Sequence, residues 1–140
     1  MKKTSCLSPD QIEVVLKQAG INPTAQRIAI CRFVLCEADH PSAETIKIWV
    51  DRHFPKMSLA TVYNTLRILV EAGLLRELKL PHVESALYDN NLTDHYHFYD
   101  EATGELLDIP PERITFDAAL DPSFRVSAVE VLLRGTRSAS

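Results

Sequence analysis

Two histidines and several carboxylates are crowded into the stretch Tyr88 to Ile109, YDNNLTDHYHFYDEATGELLDI. His95 and His97 are two residues apart, so on a β-strand they project from one face with Cα atoms roughly 6.6 Å apart. Both imidazoles then converge on a single ion, while Tyr96 and Phe98 face the other way, into a core. Glu101-Ala102-Thr103-Gly104 reads as a four-residue hairpin loop closed by glycine. Folding the chain back about that loop sets Asp108 opposite His97 and delivers a third ligand to the same face. Asp89, six residues before His95, comes off the end of the preceding strand as a fourth. Two neutral imidazoles with hard carboxylates and no thiolate suit a borderline or hard divalent ion such as Fe, Mn, Co or Zn. The bland alternative is that histidine and aspartate on an exposed hairpin are solvated polar positions, and the rest of the chain decides between the two.

The bulk properties bound what can position such a site. At 140 residues and 46% hydrophobic content the chain makes one compact domain or two small ones. No run approaches the roughly twenty apolar residues of a membrane span. Met1-Lys2-Lys3 is followed by no apolar signal core, which places the protein in the cytoplasm. Cys6, Cys31 and Cys36 contain no Cys-x-x-Cys pair, and Cys31 and Cys36 point to different faces of one helix, so neither a structural zinc site nor a disulfide framework is implied. The net charge of -4 conceals an asymmetry. Residues 1 to 80 carry eleven Lys and Arg against eight Asp and Glu, net +3, whereas residues 81 to 140 carry four against eleven, net -7. Two modules with different partners are indicated.

Ser8-Pro9-Asp10-Gln11 is a helix start, with a cap, a proline at the first helical position and a glutamine closing a capping box. Ile12, Val15, Leu16 and Ala19 form its apolar stripe and Gly20 stops it. Thr24 caps a second helix that runs through about Glu37 with apolar residues round most of its circumference, as in the middle of a bundle. Ser42 caps a third helix with Ala43, Ile46, Trp49 and Val50 inward. His40, just before it, sits on a surface loop, where a histidine is ordinarily unremarkable. After the turn Phe54-Pro55-Lys56-Met57, Ser58 caps a fourth helix from Leu59 to Ala72, ended by Gly73, with Val62, Leu66 and Leu69 buried.

The outer face of that fourth helix carries Ala60, Thr61, Tyr63, Asn64 and Arg67, small and polar groups suited to base edges and phosphates. A helix, a short turn and a second helix with such a face is helix-turn-helix architecture. Leu74 to Leu80, the turn Pro81-His82-Val83-Glu84 and the return Ser85 to Tyr88 add a β-wing. Lys56, Arg76 and Lys79 are the candidate phosphate contacts. The competing reading is a small helical bundle whose outer face is merely soluble.

Beyond the metal hairpin, Pro110-Pro111-Glu112 opens a short helix or loop through Asp121. Phe124 to Arg134 should then be a strand added to the sheet, and Arg134 to Ser140 a disordered tail. A three-stranded sheet with one short helix is too small to bury a good core alone. Its apolar side, with Tyr96, Phe98, Val129 and Val131, is best covered by a second copy of the chain, and a two-fold dimer matches a pseudopalindromic operator.

Several segments carry a resemblance to a known family: Thr24-Ala25-Gln26-Arg27, His40-Pro41-Ser42-Ala43, Ser58-Leu59-Ala60-Thr61-Val62-Tyr63-Asn64-Thr65-Leu66, Glu71-Ala72-Gly73-Leu74, Tyr88-Asp89, Asp94-His95-Tyr96-His97 and Asp108. Over nearly its whole length the chain resembles the ferric uptake regulator (Fur) superfamily of metal-dependent bacterial transcription factors. The resemblance implies an α+β protein, with an N-terminal winged helix-turn-helix domain over residues 1 to 84, a hinge over 85 to 92 and a small α/β dimerisation and metal-sensing domain over 93 to 140. It implies one regulatory divalent metal per subunit, Fe(II) or Mn(II), with Zn(II) as a stand-in in vitro. The ligands carried onto this sequence are His40, Asp89, His95, His97 and Asp108, and Ser58 joins the DNA-facing set. A ligand from the DNA-binding domain, one from the hinge and three from the dimerisation domain make the ion a switch that fixes the angle between domains. Ligand histidines must be neutral, so metal affinity is expected to fall as pH drops through roughly 6.5.

Two departures from the family stand out. Many relatives hold a structural zinc between two Cys-x-x-Cys pairs. Here Asp100 and Thr103 replace the first pair and no cysteine follows Cys36, so packing must hold that domain. A second regulatory site of some relatives uses a histidine where this chain has Tyr96. Aspartate at position 108 resembles the peroxide-sensing regulators, in which hydrogen peroxide reacts with bound Fe(II) and a ligand histidine is oxidised; the candidates are His40 and His95. The cysteine-free C-terminal half also resembles iron response regulators that sense haem status, although the Cys-Pro haem motif common among them is absent. The expected function is a dimeric repressor, not an enzyme, that senses peroxide through non-haem Fe(II) or Mn(II), with an iron- or haem-status sensor as the alternative. A metal-dependent hydrolase would need an open coordination position and a nearby base, and a purely structural metal module would leave DNA affinity unchanged.

Overall fold

The computed structural model describes residues 6–54, 56–81 and 83–138. The chain divides into two compact units, Met1–Leu92 and Thr93–Ser140.

In the first unit four helices begin by the same local chemistry. The hydroxyl of Ser8 accepts from the backbone N–H of Gln11 at 3.2 Å, and the Gln11 side chain accepts from the Ser8 N–H at 2.9 Å, which opens α1 (Pro9–Gln18) with the expected capping box. Thr24, Ser42 and Ser58 accept from Arg27, Thr45 and Thr61 and open α2 (Ala25–Arg32), α3 (Ala43–His53) and α4 (Leu59–Glu71). Each such cap stabilises its helix by about 1 kcal/mol. Ile12 and Leu16 of α1, Ile30 of α2, Ile46 and Val50 of α3, and Val62, Leu66 and Leu69 of α4 meet in one core. Burial of side chains of this size, about 1.5–3 kcal/mol each, is what holds short helices in place.

The second helix differs from its expected form. Regular α-helix ends at Arg32, and Phe33–Glu37 forms a π-helical turn in which the N–H of Ala38 donates to the carbonyl of Phe33 at 2.8 Å. An outside donor stabilises the wider turn: the side-chain amide of Asn90 donates to the carbonyls of Val34 and Ala38, each at 2.9 Å.

The wing is shorter than expected. β1 (Arg76–Leu78) pairs antiparallel with β2 (Leu87–Asp89), with Arg76 opposite Asp89. Pro81 lacks an N–H for a longer ladder. The far edge of β2 is taken by the loop before α3, where the N–H of Tyr88 donates to the Pro41 carbonyl at 2.9 Å and Ser42 bridges to Leu87. Pro55 of the expected Phe54–Met57 turn and His82 of the expected wing turn lie outside the described residues, as do Met1 to Lys3.

The second unit is a three-stranded sheet in the order β4 (Leu106–Ile109), β3 (Tyr96–Asp100), β5 (Leu132–Gly135). β3 and β4 are antiparallel with His97 opposite Asp108, the register read from the sequence. The hairpin closes through Asp100 and Glu105, and Gly104 sits at φ +76° where a side chain would be strained. Three expectations fail. The strand placed over 124 to 134 is confined to Leu132–Gly135 and runs parallel to β3, because a parallel partner needs a long crossover; residues 110–131 form it, with prolines 110, 111 and 122 and only a 3-10 turn at Pro111–Arg113. Val129 is therefore exposed and outside any strand, and Val131 joins only through its carbonyl, which accepts from the N–H of His97 at 3.2 Å. The tail is not loose from Arg134 onward, since Arg134 and Gly135 belong to β5 and Arg137 pairs with Asp100 and Glu105. Among the described residues of this unit only Leu106 and Asp100 are fully buried. No helix among the described residues is long and apolar enough to cross a membrane.

Candidate metal centre and DNA-facing surface

Strand alternation puts His95 and His97 on one face, and the hairpin register adds Asp108 from across the ladder. The Nε2 atoms of the two imidazoles are 3.0 Å apart, and an Asp108 carboxylate oxygen lies 3.3 Å from His95 and 3.5 Å from His97. Donor atoms about 2.1 Å from a common ion, with angles between octahedral and tetrahedral, stand about 3.0 to 3.4 Å apart. Two of the triad's separations, 3.0 and 3.3 Å, fall in that range and the third, 3.5 Å, is slightly longer. His95 Nδ1 lies 2.6 Å from the Thr93 carbonyl oxygen. That contact favours the proton on Nδ1 and leaves the Nε2 lone pair for an ion, the outer-shell arrangement typical of ligating histidine.

The first unit positions the other two expected ligands. Asp89 ends β2 and is 2% exposed; one of its oxygens accepts from the Asn91 N–H at 2.9 Å, and the other lies 3.7 Å from His40 Nε2. His40 does not lie open on the surface as a loop histidine would. Its side chain is 6% exposed, because Tyr88 and Leu87 hold the loop against β2, and its Nδ1 lies 2.9 Å from an Asp39 oxygen. Its backbone is left-handed, φ +44°, a conformation that costs a non-glycine residue about 1 kcal/mol or more and concentrates at functional sites. So His40 and Asp89 adjoin in one unit, and His95, His97 and Asp108 converge in the other. Imidazole and carboxylate donors without thiolate fit Fe(II), Mn(II) or Zn(II).

Sequence reading passed over Asn90. By holding the carbonyls of Val34 and Ala38 it ties the segment after β2 to the turn that leads into His40. A long-range side-chain bond of this kind leaves no local signal.

On α4, Ala60, Tyr63 and Arg67 are exposed, Thr61 and Asn64 are half-buried, and Ser58 Oγ also contacts Thr61 Oγ1 at 3.0 Å. Tyr63 donates to Glu44 of α3 at 3.0 Å. The backbone N–H of Glu44 and then the Tyr63 hydroxyl hold its carboxyl below the usual range, and the same bond pushes the Tyr63 phenol up. Arg67 pairs with Glu71 and Asn64. Lys56 is exposed at φ +80°. Lys79 pairs with Glu77 at 3.5 Å, and Arg76 donates to the Leu92 carbonyl at 3.0 Å, bracing the end of the unit.

Comparison with known proteins adds four findings. The sequence model of the Ferric uptake regulator family matches residues 18–120. The peroxide-responsive repressor PerR of Staphylococcus aureus is 39% identical over 93 residues, 66% of this chain and 62% of that protein, so the match leaves more than a third of that relative uncovered. Among solved structures, PerR from Streptococcus pyogenes, studied for peroxide sensing and gene regulation, is 27% identical with a TM-score of 0.53, covering 92% of this chain and 90% of that one. The Helicobacter pylori ferric uptake regulator superposes with a TM-score of 0.72 over 98% of this chain and 95% of that one at 14% identity, a likeness of fold.

Proposed function

Because the chain belongs to the Ferric uptake regulator family, we propose that it is a dimeric, metal-dependent transcriptional repressor of the cytoplasm that senses peroxide. The observation that carries this reading is the His95–His97–Asp108 triad, whose donor atoms have the mutual spacing of ligands to one ion. His40 and Asp89 complete the ligand set, so that one ion per subunit draws on both units. Residues 1 to 84 act as the DNA-binding domain, 85 to 92 as the hinge and 93 to 140 as the dimerisation and sensing domain.

In this mechanism the ligand residues set the angle between units, and that angle sets the separation of the two α4 helices in a dimer, hence their fit to two operator half-sites. Ser58, Ala60, Thr61, Tyr63, Asn64 and Arg67 face the bases and backbone, and Lys56, Arg76 and Lys79 the phosphates. Fe(II), when bound, supplies the reaction with hydrogen peroxide that oxidises an adjacent imidazole, His40 or His95. Oxidation of either imidazole would remove a nitrogen donor from the set, so that His40 or His95 would no longer hold its side of the site. The similarity to peroxide-responsive repressors and the aspartate at position 108 favour this over iron sensing.

The test is a titration of Mn(II) or anaerobic Fe(II) into the metal-free protein, with binding to its own promoter region as the readout. Affinity should rise with either metal and the rise should vanish in His97→Ala; metal-independent binding refutes the switch. Peroxide should then release the Fe(II) form but not the Mn(II) form, with about 16 Da added to the peptide carrying His40 or His95. Persistent binding with unchanged mass would assign the protein to iron or haem status instead.

A further inference from the structure

Cys6 and Cys36 are joined in a disulfide that spans thirty residues of chain. This corrects the sequence-based expectation of unlinked cysteines. The pairing arises because the segment before α1 folds back along the turn after α2, bringing the two Cα atoms to 4.6 Å, within the range that a disulfide bridges without backbone movement. Neither the metal ligands nor the DNA-facing residues use this pair.

The site accommodates the reduced state as well. Cys36 Sγ lies 3.8 Å from the Leu7 carbonyl oxygen, an acceptor in place for the free thiol. Both cysteines are half-buried, within reach of a small oxidant, whereas Cys31 is fully buried and burial pushes its thiol up to about 12. Thiolate is the reactive form, so buried Cys31 is inert, whereas Cys6 and Cys36 are accessible. The position in the chain matters too. Cys36 lies within the π-helical turn Phe33–Glu37, whose next residues are Ala38, anchored by Asn90, and the strained His40. Linking Cys36 to the segment before α1 constrains that turn from its other side.

We propose that Cys6 and Cys36 form a reversible thiol–disulfide switch, closed by hydrogen peroxide without any metal, and that closure stiffens residues 33 to 41. One thiolate attacks the peroxide, forming an S–O bond as the O–O bond breaks, and the departing hydroxide takes up a proton to leave as water. The second thiol attacks the sulfenic sulfur, forming the S–S bond and releasing the second water. Two thiols have then lost two electrons and the peroxide has gained them. A dithiol reductant reopens the bond by exchange. In a reducing compartment such a bond is transient, the usual behaviour of a redox-sensing pair. This switch does not depend on the metal reading.

The experiment uses the full chain, reduced and stripped of metal with EDTA, then exposed to hydrogen peroxide. The expected product has lost about 2 Da, carries one reductant-sensitive link between the peptides of Cys6 and Cys36, and leaves Cys31 open to alkylation after denaturation. Hydrogen exchange at residues 33 to 41 should slow several-fold in the oxidised form and remain unchanged in peroxide-treated Cys6→Ser. Failure to form the link, a link to Cys31, over-oxidation to sulfinic acid in its place, or equal exchange at 33 to 41 in both states would each overturn the proposal. Because no metal is present, these outcomes are separate from the titration above.

Discussion

The side-chain amide of Asn90 donates to the carbonyl of Ala38, 52 residues earlier, at 2.9 Å, and to that of Val34 at the same distance. Asn90 is 4% exposed, so both carbonyls depend on it rather than on water. Removing a donor to buried acceptors costs about 1–3 kcal/mol for each acceptor stranded. Asn90→Ala should therefore lower stability by about 2 kcal/mol or more, a fall in Tm of roughly 10 °C for a unit of this size. Asn90→Asp should cost more, because a carboxylate would face two carbonyl oxygens. Both should weaken Mn(II) binding through the loss of a fixed His40. Thermal melts and metal titration check this, and an unchanged Tm in both variants would mean the bonds are dispensable.

Arg137 and the hairpin loop give a pH-dependent prediction. Burial alone would raise the Asp100 carboxyl, but the N–H groups of Ala102 and Thr103 and the Arg137 guanidinium outweigh it and hold the carboxyl below its usual value. A lowered value in the folded state means stabilisation that is complete above the unfolded value, about 3.9, and lost as pH falls through the folded one. Asp100→Asn should thus be less stable than the parent at neutral pH, with the gap closing below about pH 4. Calorimetric melts between pH 7 and pH 3 check it. A gap that stays constant over that range would assign the loss to hydrogen-bond geometry rather than charge.

What was legible in the sequence was what short-range chemistry determines. Ser8, Thr24, Ser42 and Ser58 each reach a backbone N–H three residues ahead, so the helix starts follow from residue type and spacing. The hairpin needs only Gly104 at positive φ and two strands of matched length, which is why His97 and Asp108 meet as counted. What was missed is decided by partners far away in the chain. Cys6 and Cys36 meet only once α1 and α2 pack, the π-turn exists because Asn90 arrives from beyond the wing, and β5 is parallel because residues 110–131 cross over. His40 reads locally as an exposed loop residue, since nothing local shows that β2 covers it, and only the family resemblance marks it as a ligand.

Unit two buries too little to explain its own order. Phe116, Leu120, Phe124, Val126, Val129 and Leu133 are all exposed, and apolar residues gathered on so small a unit mark an interaction surface. Under the proposed function their partner is the second subunit. The parent protein should sediment as a dimer at micromolar concentration, and the double variant Phe124→Glu, Val126→Glu should raise the dimer dissociation constant by at least about tenfold. Since both positions are more than half exposed, the first unit should melt as in the parent. A parent protein that sediments as a monomer would end this reading.

Under the proposed function, the DNA-facing side of α4 is self-compensated in the free protein. Arg67 Nη1 contacts both carboxylate oxygens of Glu71, at 3.0 and 3.2 Å, and Nη2 reaches Asn64 Oδ1 at 2.6 Å. These pairs are exposed, and such pairs stabilise by about 0–1 kcal/mol, so little is lost by breaking them. On that reading DNA engagement would replace Glu71 with a phosphate or base edge and would leave Glu71 as an unpaired anion beside the duplex. Glu71→Gln removes that repulsion and releases the guanidinium. Stability should change by no more than about 0.5 kcal/mol, while operator affinity rises several-fold at low salt. If Arg67 gains a phosphate contact in the variant, the plot of log K against log salt should steepen by about 0.9. Arg67→Ala should shift both quantities the opposite way. Fluorescence anisotropy over a salt series decides the matter: an affinity and slope unmoved by either substitution would remove Arg67 from the DNA-facing set.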